Sequence, residues 1–179
     1  MTNDVRSILD AALFAAEKHA KQRRKGAAGE PYINHLIEVA QLISSVLTEP
    51  DPNLIIAALL HDTIEDVGVT KDDIVKRFGS DVADLVAEVT DDKSLPKAER
   101  KRLQIENAPK KSVRAQMIKL ADKISNLRSM LNSPPADWDA ERIKQYFEWA
   151  KKVVAGLSSP NLVLLAEFER TSKQFDELQ

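Results

Sequence analysis

His35, the adjacent pair His61-Asp62, and Asp122 offer two imidazoles and two carboxylates, the donor types of a divalent-metal site. Such a sulfur-free nitrogen and oxygen set suits Mn²⁺, Fe²⁺ or Zn²⁺ and is formally neutral around a dication, with positions left for water. A dication lowers the pKa of bound water and polarises a phosphoryl oxygen, so one ion serves both nucleophile and developing charge. This is the chemistry of metal-assisted hydrolysis. Glu65 and Asp66 follow the pair directly. On a continuous helix His61 and Glu65, and likewise Asp62 and Asp66, are four apart and form two parallel rows. Glu65 could then hold or deprotonate the metal-bound water, while Asp66 protonates the leaving oxygen or orients the water.

The elements that must carry these groups read as helices. Only five glycines and repeated apolar spacings of three and four predict an all-helical single domain of about eight to ten helices over residues 1–179. The first helix is expected from Asp4 to Lys21, with Val5, Ile8, Leu9, Ala12, Leu13 and Ala16 as its apolar stripe. Pro31 can open a second, whose face is Ile33, Ile37, Ala40, Ile43 and Leu47 and which carries His35 near its start. Asp51-Pro52 reads as an N-cap and first position of a third that continues through LIIAALLHDTIED to Gly68. Because Leu54 to Leu60 is apolar on every side, this helix is expected at the centre of the core. Ionisable groups at its end then need a metal, counter-charges or a cleft.

Further on, Thr70 to Asp73 has the pattern of a capping box, and Phe78-Gly79 and Ser80 punctuate two short helices. Pro96 begins a charged helix, and a long helix spans Ser112 to Leu131. Its core stripe is Val113, Met117, Leu120, Ile124, Leu127 and Leu131, which leaves Asp122 and Asn126 on the opposite, solvent-facing side. A ligand role for Asp122 therefore requires another helix or a cleft there. Helices after Pro134-Pro135 and after Ser159-Pro160 complete the chain.

Composition excludes several alternatives. The chain has 179 residues and no cysteine, so it has neither disulfides nor a thiolate metal site, and a cytoplasmic setting fits. No apolar run is long enough to span a bilayer, and the N-terminus has no leader pattern. With 26 Lys plus Arg against 28 Asp plus Glu, no global field favours nucleic acid or membrane, and any anion site must be local. KQRRKG, residues 21–26, is one candidate: Arg24 can lie flat on a base while Lys25 acts as a point charge. Arg142 and Tyr146, one helical turn apart, are candidates for a later substrate contact. Lys97, Arg100, Lys101 and Arg102, interleaved with Glu99, read as a solvated face.

The segments RRKGAAGEPYINHLIEVA, AALLHDTIEDVGVT, RFGSDVADLVAEVTDDKSLPKAERKRLQ and IKLADKISNLRSM resemble the hydrolase domain of the RelA/SpoT family, within the HD-domain superfamily. The likeness covers nearly the whole chain and runs to the stand-alone small alarmone hydrolases of the metazoan SpoT-homologue type. It implies an all-helical HD fold and a Mn²⁺-dependent enzyme that hydrolyses ppGpp or pppGpp to GDP or GTP plus pyrophosphate. It also implies that His35, His61, Asp62 and Asp122 hold the metal and that Glu65 and Asp66 are the catalytic acids. By the same resemblance Arg24 and Lys25 receive guanine, and Asn126 lies near the ribose. Leu36 departs from the proline that many relatives carry after the histidine, which changes backbone rigidity but no ligand. Two other readings stay open: a phosphatase on another 2′- or 3′-phosphorylated nucleotide such as NADPH, and a non-catalytic alarmone-binding module. Oligomeric state is not legible.

Overall fold

The computed structural model describes residues 2–177, with side chains described for residues 4–177. Helices account for all its regular structure: α1 (Thr2–Lys18), α2 (Ile33–Ser44), α3 (Pro52–Leu60), α4 (Thr63–Val67), α5 (Lys71–Phe78), α6 (Ser80–Val89), α7 (Lys97–Asn107), α8 (Val113–Asn132), α9 (Ala140–Ala155) and α10 (Leu162–Glu177). A single 3-10 turn, Ala108–Lys110, precedes α8, and no strand forms among the described residues. None of these helices is long and apolar enough to cross a membrane. The all-α expectation holds.

Two compact units share the chain. One contains residues up to Gln22 together with Pro31–Asp92, and the other contains Arg23–Glu30 together with the chain from Lys93 onward. In the first unit α3 is the central element, packed against α1, α2 and α6. Leu54, Ile56, Ala57, Ala58, Leu59 and Leu60 are all buried, as the unbroken apolar run requires. Each fully buried Leu or Ile contributes about 1.5–3 kcal/mol, so this helix holds a large part of the unit together. Asp51 caps it by accepting from the Leu54 amide at 3.0 Å.

Two details of the sequence reading are corrected in this unit. On α1 the expected stripe fails: Val5, Leu9 and Leu13 are 58%, 64% and 56% exposed, while Ala11, Phe14 and Ala15 are buried. The small alanines let α1 approach α3 closely, and Phe14 is held edge-on by Phe78 at 5.6 Å. The third helix also does not run on to Gly68. It ends at Leu60, and α4 starts afresh at Thr63 with Gly68 as its left-handed cap at φ 71°.

In the second unit α8 packs against α10 and α9, and α7 against α9. Ser112 caps α8 by accepting from the Ala115 amide at 3.2 Å. From Ala115 to Ser125 every residue of α8 except Asp122 is buried, so the helix is enclosed on nearly all sides rather than on one stripe. Val113, assigned to the stripe, is 57% exposed.

Candidate metal centre

The break between α3 and α4 is what builds the site. His61 and Asp62 occupy the junction, and Asp62 adopts φ −101° and ψ 0°, the sparsely populated bridge region where many active-site residues sit. Thr63 anchors the turn by donating its hydroxyl to Leu60 O at 2.7 Å. The parallel rows of one helix therefore do not exist as read. A single i to i+4 bond, Asp66 amide to Asp62 carbonyl at 2.8 Å, still keeps the acids of α4 one turn from the pair.

His35, buried near the start of α2, meets this junction. His35 Nε2 lies 3.6 Å and His61 Nε2 lies 3.1 Å from the same atom, Asp62 Oδ2. One ligand atom from each of the three lies within 4.8 Å of the others. His61 Nδ1 donates to Ala58 O at 2.7 Å, and because a carbonyl only accepts, Nδ1 must carry the proton. In the neutral ring Nε2 then presents a lone pair toward a carboxylate oxygen, an arrangement that is favourable only with a cation or a proton between them. Backbone anchoring of the distal ring nitrogen is also how metal-ligating histidines are oriented. The residues present thus fit a divalent ion with nitrogen and oxygen ligands. Burial would raise the Asp62 pKa, but His61 and His35 outweigh it and hold the carboxyl well below the usual carboxylate range, so the ligand is anionic.

Further groups brace these three. Tyr32 donates its hydroxyl to Asp62 Oδ2 at 2.6 Å and sets its ring edge against His35 at 5.4 Å, and His35 in turn meets His61 at 5.2 Å. Gln22 Nε2 donates to Asp66 Oδ2 at 2.8 Å, and Glu65 Oε2 accepts from the Asp91 amide at 3.3 Å. The buried His19 stacks on Tyr32 and contacts Gln22. Burial lowers the His19 pKa, against the pull of Gln22, Asp62 and Asp66. Sequence reasoning missed His19, Gln22 and Tyr32; the only signal was a histidine and a tyrosine flanking the basic segment.

The remaining candidates lie in the second unit. Asp122 is 13% exposed at its side chain, so it is not on a solvated face as periodicity suggests. Its Oδ2 meets Lys123 Nζ at 2.9 Å, and its Oδ1 accepts from Asn126 Nδ2 at 2.6 Å. Arg24 and Lys25 sit in a loop whose Arg24 amide donates to Glu30 O at 2.8 Å. That loop is tied to residues 133–134 by Ala27 N to Pro134 O at 3.1 Å and Ala28 N to Ser133 Oγ at 3.0 Å.

Arg142 lies 4.4 Å from the Trp138 ring, and Tyr146 lies 5.9 Å from Trp138 and 5.3 Å from Trp149. Lys101 stands 4.8 Å from Trp149, and Lys123 stands 4.6 Å from the same ring. Burial first, then Lys97, Lys123 and Arg142, lowers the Lys101 pKa; burial, Arg142, Lys25 and Arg100 do the same for Lys97. The solvated-face expectation holds for Lys97 and for Arg102, which pairs with Glu99 and Glu106, and is corrected for Lys101, which is half-buried against the rings of α9. Positive charge is thus concentrated beside the rings of Trp138, Tyr146 and Trp149 in a chain of near-zero net charge.

Comparison with known proteins places this geometry in a family. The HD domain profile matches residues 11–151. The chain is 50% identical over 164 residues, 92% of each protein, to guanosine-3′,5′-bis(diphosphate) 3′-pyrophosphohydrolase MESH1 of Xenopus tropicalis. It is 48% identical over 174 residues, 97% of each, to MESH1 of Homo sapiens. A solved structure described as a metazoan ortholog of SpoT that hydrolyzes ppGpp and plays a role in starvation responses superposes with a TM-score of 0.90 at 48% identity, covering 94% of both chains. A histidine and an adjacent His-Asp pair around one point, on an all-helical frame matched over most of its length, establish that the chain belongs to the HD-domain family.

Proposed function

We propose that this chain is a (p)ppGpp 3′-pyrophosphohydrolase, acting through residues 1–179 as one HD-type domain in the cytoplasm with Mn²⁺ as its ion. The observation that carries the reading is the convergence of His35 Nε2 and His61 Nε2 on Asp62 Oδ2, one turn from Glu65 and Asp66, in a chain about half identical to MESH1 pyrophosphohydrolases. His35, His61 and Asp62 would hold the ion, with Asp122 as a fourth ligand. When bound, a divalent ion supplies an acidified water and a Lewis acid for the phosphoryl oxygen.

The chain's own residues do the rest. Glu65, steadied by the Asp91 amide, takes the proton of the attacking water. Asp66, steadied by Gln22, delivers a proton to the ribose O3′ as its bond to phosphorus breaks, so pyrophosphate leaves and the nucleoside keeps a 3′-hydroxyl. Arg24 and Lys25 face the base, and Asn126, oriented by its bond to Asp122, serves the ribose. Arg142 and Tyr146, with Lys97 and Lys101 beside them, take the 5′-diphosphate, whose negative charge the clustered cations offset.

Purified protein with Mn²⁺ is tested on ppGpp, pppGpp and NADPH, with pyrophosphate and phosphate release scored by kcat/KM. Pyrophosphate from ppGpp is expected. No release from ppGpp while NADPH loses phosphate would move the assignment to a 2′-phosphatase, and tight ppGpp binding without turnover would make the chain a sensing module.

A further inference from the structure

One buried imidazole of the first unit has no part in the chemistry described so far. His19 is 2% exposed, and its ring stacks on Tyr32 with centroids 5.1 Å apart and planes 17° apart. Its Nδ1 lies 2.6 Å from Gln22 Oε1, and the same amide donates from Nε2 to Asp66 Oδ2 at 2.8 Å. The two contacts determine each other. With its NH₂ committed to the carboxylate, Gln22 can offer His19 only a carbonyl, so His19 must carry its proton on Nδ1. Its Nε2 is buried with no hydrogen-bond partner among the described residues, and a proton there would be a donor facing no acceptor.

The consequence reaches Asp66. Because Oδ2 accepts from Gln22 and a carbonyl oxygen accepts better than a hydroxyl oxygen, a proton carried by this carboxyl group is favoured on Oδ1. We infer that His19 and Gln22 form a positioning relay that fixes the rotation of the Asp66 carboxyl group, so that Oδ1 is the oxygen that hands the proton to the leaving group. Neither residue touches substrate; His19 acts through Gln22 and Gln22 through Asp66. The inference rests on the hydrolase reading above.

Three substitutions separate the relay from packing. Gln22→Leu removes both amide contacts at similar volume. His19→Phe keeps a ring on Tyr32 and loses the donor, and His19→Asn loses the ring but keeps an N–H near the position of Nδ1. With ppGpp and saturating Mn²⁺, Gln22→Leu and His19→Phe should each lose roughly tenfold or more in kcat, part of the ~10²–10⁴ that a placed general acid supplies. KM and Mn²⁺ affinity should stay within about twofold, since the relay ends on a proton carrier rather than on a ligand. His19→Asn should recover most of the loss, and the double variant His19→Phe/Gln22→Leu should be no slower than Gln22→Leu alone. A His19→Phe enzyme as fast as wild type overturns the relay, and so does a His19→Asn enzyme as slow as His19→Phe, because ring packing would then explain the loss.

A second measurement needs neither turnover nor a variant. Nitrogen-15 NMR of the wild-type full chain before Mn²⁺ is added should show His19 as the Nδ1–H tautomer, and the Nε2–H tautomer would overturn the inference. If that tautomer is found while ppGpp is left intact, the activity assignment fails and the relay geometry stands.

Discussion

Tyr32 donates to Asp62 Oδ2 at 2.6 Å, the same oxygen that His61 Nε2 approaches to 3.1 Å. A tyrosine at the foot of α2 therefore aims the carboxylate that the α3–α4 junction sets beside His35 and His61. Tyr32→Phe removes this one hydrogen bond and keeps the ring contacts with His19 and His35. Partners of this kind, one bond removed from the metal, typically change affinity 10–100-fold, so Mn²⁺ binding is expected to weaken about tenfold. Isothermal titration of the variant with Mn²⁺ checks this, and an unchanged affinity would show that the aspartate is held without the phenol.

Gly26 sets the position of the loop that carries Arg24 and Lys25. A Cβ added there would stand 2.3 Å from the backbone oxygen of Ser133, so Gly26→Ala must push the segment carrying Arg24 and Lys25 away from residues 133–134. KM for ppGpp should rise roughly five- to tenfold with kcat little changed, the signature of lost uniform binding. Steady-state kinetics reads the split, and a fall confined to kcat would contradict the binding role.

Lys123 holds Asp122 Oδ2 at 2.9 Å with its own side chain only 4% exposed. Lys123→Met leaves that carboxylate without its ammonium partner, so metal-free protein should melt roughly 5 °C lower, the scale of a part-buried pair broken at one end. If Asp122 is the fourth ligand, Mn²⁺ should restore more stability to the variant than it adds to wild type. Thermal melts with and without Mn²⁺ measure both, and an equal gain in the two proteins would remove Asp122 from the ligand set.

His19 also gives the fold a defined response to acid. Burial lowers its pKa from 6.5, so as pH falls below that value the unfolded chain takes up a proton that the native state refuses. Native stability consequently falls through this window, by at most about 1.4 kcal/mol per pH unit, until the depressed native pKa is passed. His19→Phe should flatten the decline in urea midpoint between about pH 7 and 5 relative to wild type. An identical slope in the two proteins would mean that another group carries the dependence.

What could be read in advance depended on how far apart the interacting residues are. The caps at Asp51 and Thr70 were legible because each bonds an amide three residues away. That His35, His61 and Asp62 belong together was legible from their donor chemistry alone, and the three do meet. The face of α1 was not: Val5, Leu9 and Leu13 recur as regularly as Ala11, Phe14 and Ala15, and only packing against α3 chooses the smaller row. Tyr32 reaches Asp62 across 30 positions, and Gln22 reaches Asp66 across 44, distances at which no local pattern survives. Lys101 looked solvated because its rings come from α9, where Trp149 Nε1 donates to the Lys101 carbonyl 48 positions away.

The four rings His19, Tyr32, His35 and His61 form an unbroken row, each within 5.4 Å of the next. Their χ angles are immobilised by one another before any ion arrives. Ion capture therefore orders few side chains and chiefly exchanges the hydration shell of the cation for fixed donors. Its calorimetric signature should be a gain in entropy from released water with a small heat-capacity change, unlike metal sites whose ligands fold around the ion.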